Sequence, residues 1–177
     1  MNKSVGKETI FKQRAEKLAV SKVVESQPAG TLEVLLFALS NERYALESIY
    51  IKEVYPTREL TFLPSVPLFV KGVINVRRKI YSVVDLRKLF NLAEKGDGDG
   101  GRVIILEKDR MAFGLFAEEV LGMRTLFPED LQPPLPSMTG IHEELVKGVT
   151  DDCVVLLDGQ KILNSSTLVV EQKAAAN

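Results

Sequence analysis

The apolar positions of this chain fall in short, dense runs divided by turn residues, a pattern of strands. Glu33–Leu39 (EVLLFAL) is a nearly continuous apolar run, short enough for a buried strand. Ser40-Asn41-Glu42 reads as a turn, and Tyr44–Leu46 begins the return strand of a hairpin. Ile49, Ile51 and Val54 carry apolar positions on to Pro56, and Phe62–Val66 reads as an extended linker because residues before proline avoid the helical region. The stretch Val66–Arg87 (VPLFVKGVINVRRKIYSVVDLR) organises the rest. Pro67 suits the first position of a helical turn. Val73–Val76 and Ile80–Val84, rich in β-branched residues, predict two strands, and Gly72 marks a place where a Cβ would obstruct the backbone. Arg77–Lys79 is a basic turn between the strands, and Asp85 predicts a cap for the helical turn Leu86–Phe90.

The second half repeats this grammar. Arg102–Leu106 reads as a strand, Asp109-Arg110 as a turn and Met111–Phe116 as the return, while Pro128–Met138 is irregular. The VKGV of Val146–Val149 echoes the VKGV of Val70–Val73. Cys153–Leu157 and Gln160–Leu163 read as strands on either side of an Asp158-Gly159 turn. Three segments stand outside the strand pattern. Residues 1–30 predict a helix, capped at Ser4 or Thr9 and running to about Val24, followed by the linker Ser26–Gly30; Phe11, Ala15, Leu18 and Ala19 share its apolar face. That face either packs on its own domain or docks a partner or a second copy, so self-association through it is one of the readings. Glu94–Gly101 (EKGDGDGG) predicts a flexible connection between two lobes, roughly 31–92 and 102–168, with strands free to exchange between them. Residues 169–177 read as a loose tail.

Composition narrows the functional classes. The chain has 177 residues, enough for one ordinary domain of roughly 100–200 residues, and its formal net charge of −1 argues against a general nucleic-acid binder. No apolar run reaches membrane-spanning length and the start lacks a signal-peptide core, so a cytoplasmic protein without direct membrane insertion is expected.

No constellation for catalysis is read. His142 is the only histidine, set in a polar stretch beside Glu143 and Glu144, and reads as a solvated loop residue. Cys153, the only cysteine, precedes an apolar run and reads as a buried small hydrophobe. Asp97 and Asp99 sit in a DGDG run that lacks the acidic residue needed to close a calcium loop, and no Cys/His cluster fits zinc. No cofactor cradle is present in the sequence, and no cofactor, metal or catalytic residue is expected. The basic turn is different. Arg77 lies one residue beyond an apolar strand, with Asn75 two residues before it, and an arginine so placed offers a planar fork of donors to a carboxylate or carbonyl.

Leu63, Pro64, Pro67, Phe69, Val70, Gly72, Val73, Ile74, Asn75, Arg77, Ile80, Val83, Val84, Asp85 and Leu86 stand in the register of one family signature. On these residues the chain resembles the CheW-like domains, the adaptors of bacterial chemotaxis arrays. Gly114, Leu115 and Val120 match a second family segment more loosely. Arg78 stands where the family usually has glycine, and Ser82 where it usually has proline. The resemblance covers roughly Thr31–Leu168. It implies a mainly β fold of two five-stranded SH3-like barrel lobes, with the N-terminal amphipathic helix and short helical turns added. It also implies a non-catalytic adaptor that couples the cytoplasmic tip of methyl-accepting chemoreceptors to the histidine kinase CheA. Gly72, Asn75, Arg77 and Arg78 would then lie at the receptor surface, and Ile51, Glu53 and Val54 at the kinase surface. Recruitment to membrane-associated receptor arrays follows from the same likeness. An adaptor of a non-flagellar pathway, serving type IV pili or gliding, shares the domain, and an SH3-like nucleic-acid module is the remote alternative.

Overall fold

The computed structural model describes residues 30–93 and 101–168. The expected N-terminal helix, all but the last residue of the Gly/Asp-rich connection, and the C-terminal tail lie outside the described residues. Among the described residues, eleven strands form two sheets. The first holds β1 (Leu32–Leu39), β2 (Glu42–Glu47), β9 (Glu119–Leu126), β10 (Val146–Val149) and β11 (Val154–Leu157), in the order β10-β11-β2-β1-β9. The second holds β3 (Ile51–Pro56), β4 (Leu60–Thr61), β5 (Val70–Val76), β6 (Lys79–Val84), β7 (Arg102–Lys108) and β8 (Met111–Ala117), in the order β3-β7-β8-β6-β5-β4. The pair of five-stranded lobes is therefore present, with the two-residue β4 as a sixth strand.

A boundary at the Gly/Asp-rich connection does not separate the lobes. β1 and β2 leave the first half to join β9–β11, and β7 and β8 leave the second to join β3–β6. Two parallel contacts stitch the exchange: β11 beside β2, with Val155 opposite Tyr44, and β6 beside β8, with Val83 opposite Gly114. Parallel neighbours need a long crossover, so such pairs join segments remote in sequence. In the first sheet Gln132 and Val149 exchange backbone hydrogen bonds of 2.9 and 2.8 Å, carrying the chain after β9 round to β10.

The unbroken apolar runs of β1 and β7 have a physical cause. Along β7, Val103 and Ile105 pack with Ile74, Val76 and Val83 inside the curl of the second sheet. Ile104 and Leu106 point the other way, into a core shared by both sheets with Leu35, Phe37, Leu86 and Leu157. Along β1, Val34 joins the first sheet's own cluster with Leu126, Val154 and Leu156. A strand buried on both faces shows no polar alternation. Each such aliphatic side chain contributes roughly 1.5–3 kcal/mol by leaving water.

Among the described residues, three short α-helices decorate the sheets. α1 (Leu86–Phe90) starts at Asp85, whose carboxylate accepts the Arg87 amide at 3.0 Å, as the capping pattern predicts. α2 covers Ile141–Leu145. α3 (Gly159–Asn164) replaces the strand expected over Gln160–Leu163. Asp158 Oδ1 accepts the Lys161 amide at 2.9 Å, so a capped turn begins where a hairpin was read. Gly159 is required there by space: a Cβ would lie 2.3 Å from the Tyr50 ring.

Candidate functional site

The β5–β6 hairpin closes with Val76 opposite Lys79, leaving Arg77 and Arg78 as a two-residue loop. Their φ angles are 50° and 69°. Both central residues at positive φ is the geometry of a type I′ turn, whose twist matches that of the flanking strands. Arg78 thus occupies a left-handed position that glycine fills without steric cost, which accounts for the glycine usual in its place. Gly72 is buried on β5 with φ +153°, and a Cβ there would stand 2.3 Å from the Thr61 carbonyl oxygen. Its expected place at a partner surface is through the backbone it allows. Asn75 is exposed on the same strand.

The expected receptor and kinase residues meet across the second sheet. Arg77, its side chain 80% exposed, reaches the β3 edge, where Nη2 lies 3.2 Å from Glu53 Oε2. Tyr55 donates its hydroxyl to the same carboxylate oxygen at 2.8 Å. Hydrogen bonding with Tyr55, then the charge of Glu53, pushes the Arg77 guanidinium still further above its already high value. The neighbouring cation Lys79 is held differently. It sits 3.2 Å from Glu107 Oε2 of β7, which Lys52 of β3 also pairs with at 2.8 Å. Hydrogen bonds from Lys52 and then Lys79 hold the Glu107 carboxyl below the usual carboxylate range. Arg78 is exposed and makes no ion pair among the described residues. On β3, Glu53 is half-buried, Ile51 packs against the shared core and Val54 is 38% exposed, so Val54 supplies the apolar surface of the three. Ile80, beside the tip, adds a second exposed apolar side chain.

Sequence reasoning missed a buried charged network where the sheets join. Arg87 on α1 is 1% exposed and grips Asp85 with three hydrogen bonds, Nε to Oδ1 at 2.9 Å and to Oδ2 at 3.2 Å, and Nη2 to Oδ2 at 2.6 Å. Its Nη1 donates to Glu118 Oε1 at 2.7 Å, and its guanidinium lies 4.5 Å from the centre of the Phe116 ring. Lys71 Nζ stands 3.9 Å from Asp85 Oδ2 and 4.4 Å from the centre of that ring. The signal was in the sequence as Asp85-Leu86-Arg87, whose two-residue spacing lets a cap and its counter-ion share one turn.

Two single-residue expectations are corrected. His142 is buried, because the helical spacing of α2 turns it inward together with Leu145. It stacks on Phe90 at 4.1 Å between ring centroids, with the planes 11° apart. Cys153 is exposed. It ends a tight turn at φ 59°, donating its amide to the Thr150 carbonyl at 2.9 Å, so the apolar run enters the sheet only at Val154.

Among the described residues, no three His, Cys, Asp or Glu side chains converge as a metal ion would need. No helix there is long and apolar enough to cross a membrane. Two curled β lobes with cations on a tight hairpin tip have the form of a binding module. The comparisons agree with that class. The CheW-like domain family matches residues 33–167, so the chain belongs to that family. The Chemotaxis protein CheW of Treponema pallidum is 27% identical over 143 residues, 77% of this chain and 84% of the relative. Protein FrzA of Myxococcus xanthus is 26% identical over 153 residues, 84% of this chain and 96% of the relative. The crystal structure of the scaffolding protein TtCheW from Thermoanaerobacter tengcongensis superposes with a TM-score of 0.64 at 30% identity, covering 72% of this chain and 88% of that one.

Proposed function

We propose that this adaptor joins the cytoplasmic tip of a methyl-accepting chemoreceptor to the histidine kinase CheA and performs no chemistry of its own. Gly72, Asn75, Arg77 and Arg78 form the receptor side of this reading, and Ile51, Glu53 and Val54 the kinase side. The observation that carries it is the Arg77 tip: a largely exposed guanidinium on a tight turn, backed by the Glu53 carboxylate. Receptor tips are helical, so the interface is a helix laid against a groove with a polar anchor. Holding two partners on one rigid module raises their effective concentration for each other without a new reaction. Membrane location then comes from the receptor.

The test is reconstitution of CheA with receptor cytoplasmic fragments on vesicles, with and without the purified chain. Kinase activity that depends on the chain supports the reading; activity indifferent to it overturns it. A non-flagellar chemosensory circuit is the second reading, supported by the likeness to FrzA. The kinase and receptor captured from the source organism separate the two.

A further inference from the structure

A cavity of about 420 Å³ opens at the far end of the first sheet, bordered by the start of β2, the end of α1 and the chain around Met138 and His142. Its size lies within the roughly 300–1,000 Å³ of small-molecule sites. The lining combines apolar and polar side chains. Phe90, Leu135, Met138, Val149 and Val155 make an apolar face, and the His142 ring stacked on Phe90 extends it with a flat surface.

The polar side has a fixed hydrogen-bond sense. Tyr44 donates its only hydroxyl proton to Glu42 Oε2 at 2.6 Å. Burial, then the bond to Glu42, raises the Tyr44 hydroxyl far above its ordinary value, so it stays protonated. The oxygen of Tyr44 also stands 3.2 Å from His142 Nε2, and with its proton already committed it accepts there. His142 is therefore the Nε2–H tautomer, and burial keeps it neutral by pushing its pKa below the ordinary 6.5. Its Nδ1 is left as an acceptor with no partner among the described residues. No fully enclosed side-chain nitrogen or oxygen among the described residues lacks a hydrogen bond, so Nδ1 is not sealed off, and its residue lines the cavity.

The mouth carries one carboxylate and one guanidinium, and of the two only the guanidinium is ion-paired. Arg43 is occupied by the carboxylate and backbone carbonyl of Asp152. Glu42 makes no ion pair among the described residues. The cavity thus offers a carboxylate and an imidazole acceptor beside a flat apolar wall. We infer that it binds a small organic cation, an amine or amidine carried on an aromatic body, with its N–H groups on Glu42 and His142 Nδ1 and its ring against Phe90 and Met138. A positive ligand rich in donors satisfies both acceptors, whereas an anion would meet the Glu42 charge and have to draw Arg43 away from Asp152. The site lies on the first sheet, away from the hairpin tip, and does not rest on the adaptor reading.

The test uses the full-length chain labelled with nitrogen-15 and two flat probes of equal size, benzamidine and benzoate. Benzamidine should shift the Phe90 and His142 amides and the His142 ring nitrogens saturably in the millimolar range, with benzoate at least about ten-fold weaker, the factor for one well-placed charge. Glu42→Gln should remove most of that preference. Met138→Trp, which fills the cavity and leaves the polar groups, should abolish the shifts while the spectrum stays folded. Absence of a saturable shift, equal binding of benzoate, or unchanged binding in Met138→Trp would each overturn the assignment.

Discussion

Arg77 on the β5–β6 tip and Glu53 on the β3 edge form an ion pair of 3.2 Å, with the Tyr55 hydroxyl on the same carboxylate oxygen. Residues that the family signature assigns to two different partners are thus in direct contact. A receptor group that captures the Arg77 guanidinium must compete with Glu53. Arg77→Ala should weaken receptor binding about ten-fold, the scale of an interface arginine. The melting temperature should move by less than about 2 °C, because an exposed ion pair adds little to stability. Titration of receptor fragment onto both proteins, beside a thermal melt, checks this. Arg77→Lys should recover only part of the affinity, since it keeps the charge and loses the planar fork.

Arg78 holds φ at 69° where glycine would rest without strain. A left-handed residue with a Cβ costs roughly 1–2 kcal/mol, and glycine's added freedom in the unfolded chain offsets roughly 0.5–1 kcal/mol of the relief. Arg78→Gly should therefore stabilise the fold by about 0.5–1 kcal/mol in a denaturant titration. A loss of stability would show that the arginine makes a compensating contact.

Gly72→Ala tests the other end of the hairpin. The added methyl would stand 2.3 Å from the Thr61 carbonyl oxygen at φ +153°, so both overlap and backbone strain act. The two together should cost about 2–4 kcal/mol, with β4 parting from β5 first. Hydrogen exchange of the Thr61 and Ile74 amides would localise the opening.

Arg87→Met should destabilise by about 3–5 kcal/mol, the cost of leaving a buried carboxylate without its partner. Asp85 would lose three hydrogen bonds and Glu118 one. Chemical denaturation measures the loss, and a change below about 1 kcal/mol would mean that Lys71 takes over the pairing.

Acid should act in two steps. His142 is held below its ordinary 6.5 by burial, against a smaller opposing pull from Glu42. The unfolded chain takes up that proton first, so stability is whole above pH 6.5 and falls as pH drops through the lower folded value. Asp152 is held at about 2, chiefly by a hydrogen bond from Arg124 and then by one from Thr150. Its contribution is present above the ordinary 3.8 and is lost as pH falls toward 2. His142→Phe keeps a flat ring on Phe90 and should remove the upper step alone in melts taken from pH 8 to 3.

The strands, the hairpin tip and the Asp85 cap were legible because each is set by local chemistry: β-branched runs, a basic turn, a capping carboxylate. What escaped depends on distant partners. His142 sits among charged residues in sequence, and only the docking of α2 beside Phe90 buries it. Cys153 adjoins an apolar run, yet the turn from Thr150 ends on it. Ile162 and Leu163 read as a return strand, but an Asp158 cap and a shared core favour a helix. That strands could exchange between lobes was anticipated, but which ones do rests on the pairings β1–β9, β2–β11, β3–β7 and β6–β8 between segments remote in sequence, which carry no local signature. At the candidate site the residues were legible and their meeting was not, because β3 and the β5–β6 tip come together only when the second sheet curls.

The central claim is that one chain holds a kinase and a receptor at once, and co-sedimentation of CheA with receptor-bearing vesicles reads it directly. CheA should enter the pellet only when the chain is present. The Arg77→Ala variant should still bind CheA in solution and fail to bring it down. CheA sedimenting equally without the chain, or the variant carrying it down as well as the natural protein, would contradict the account.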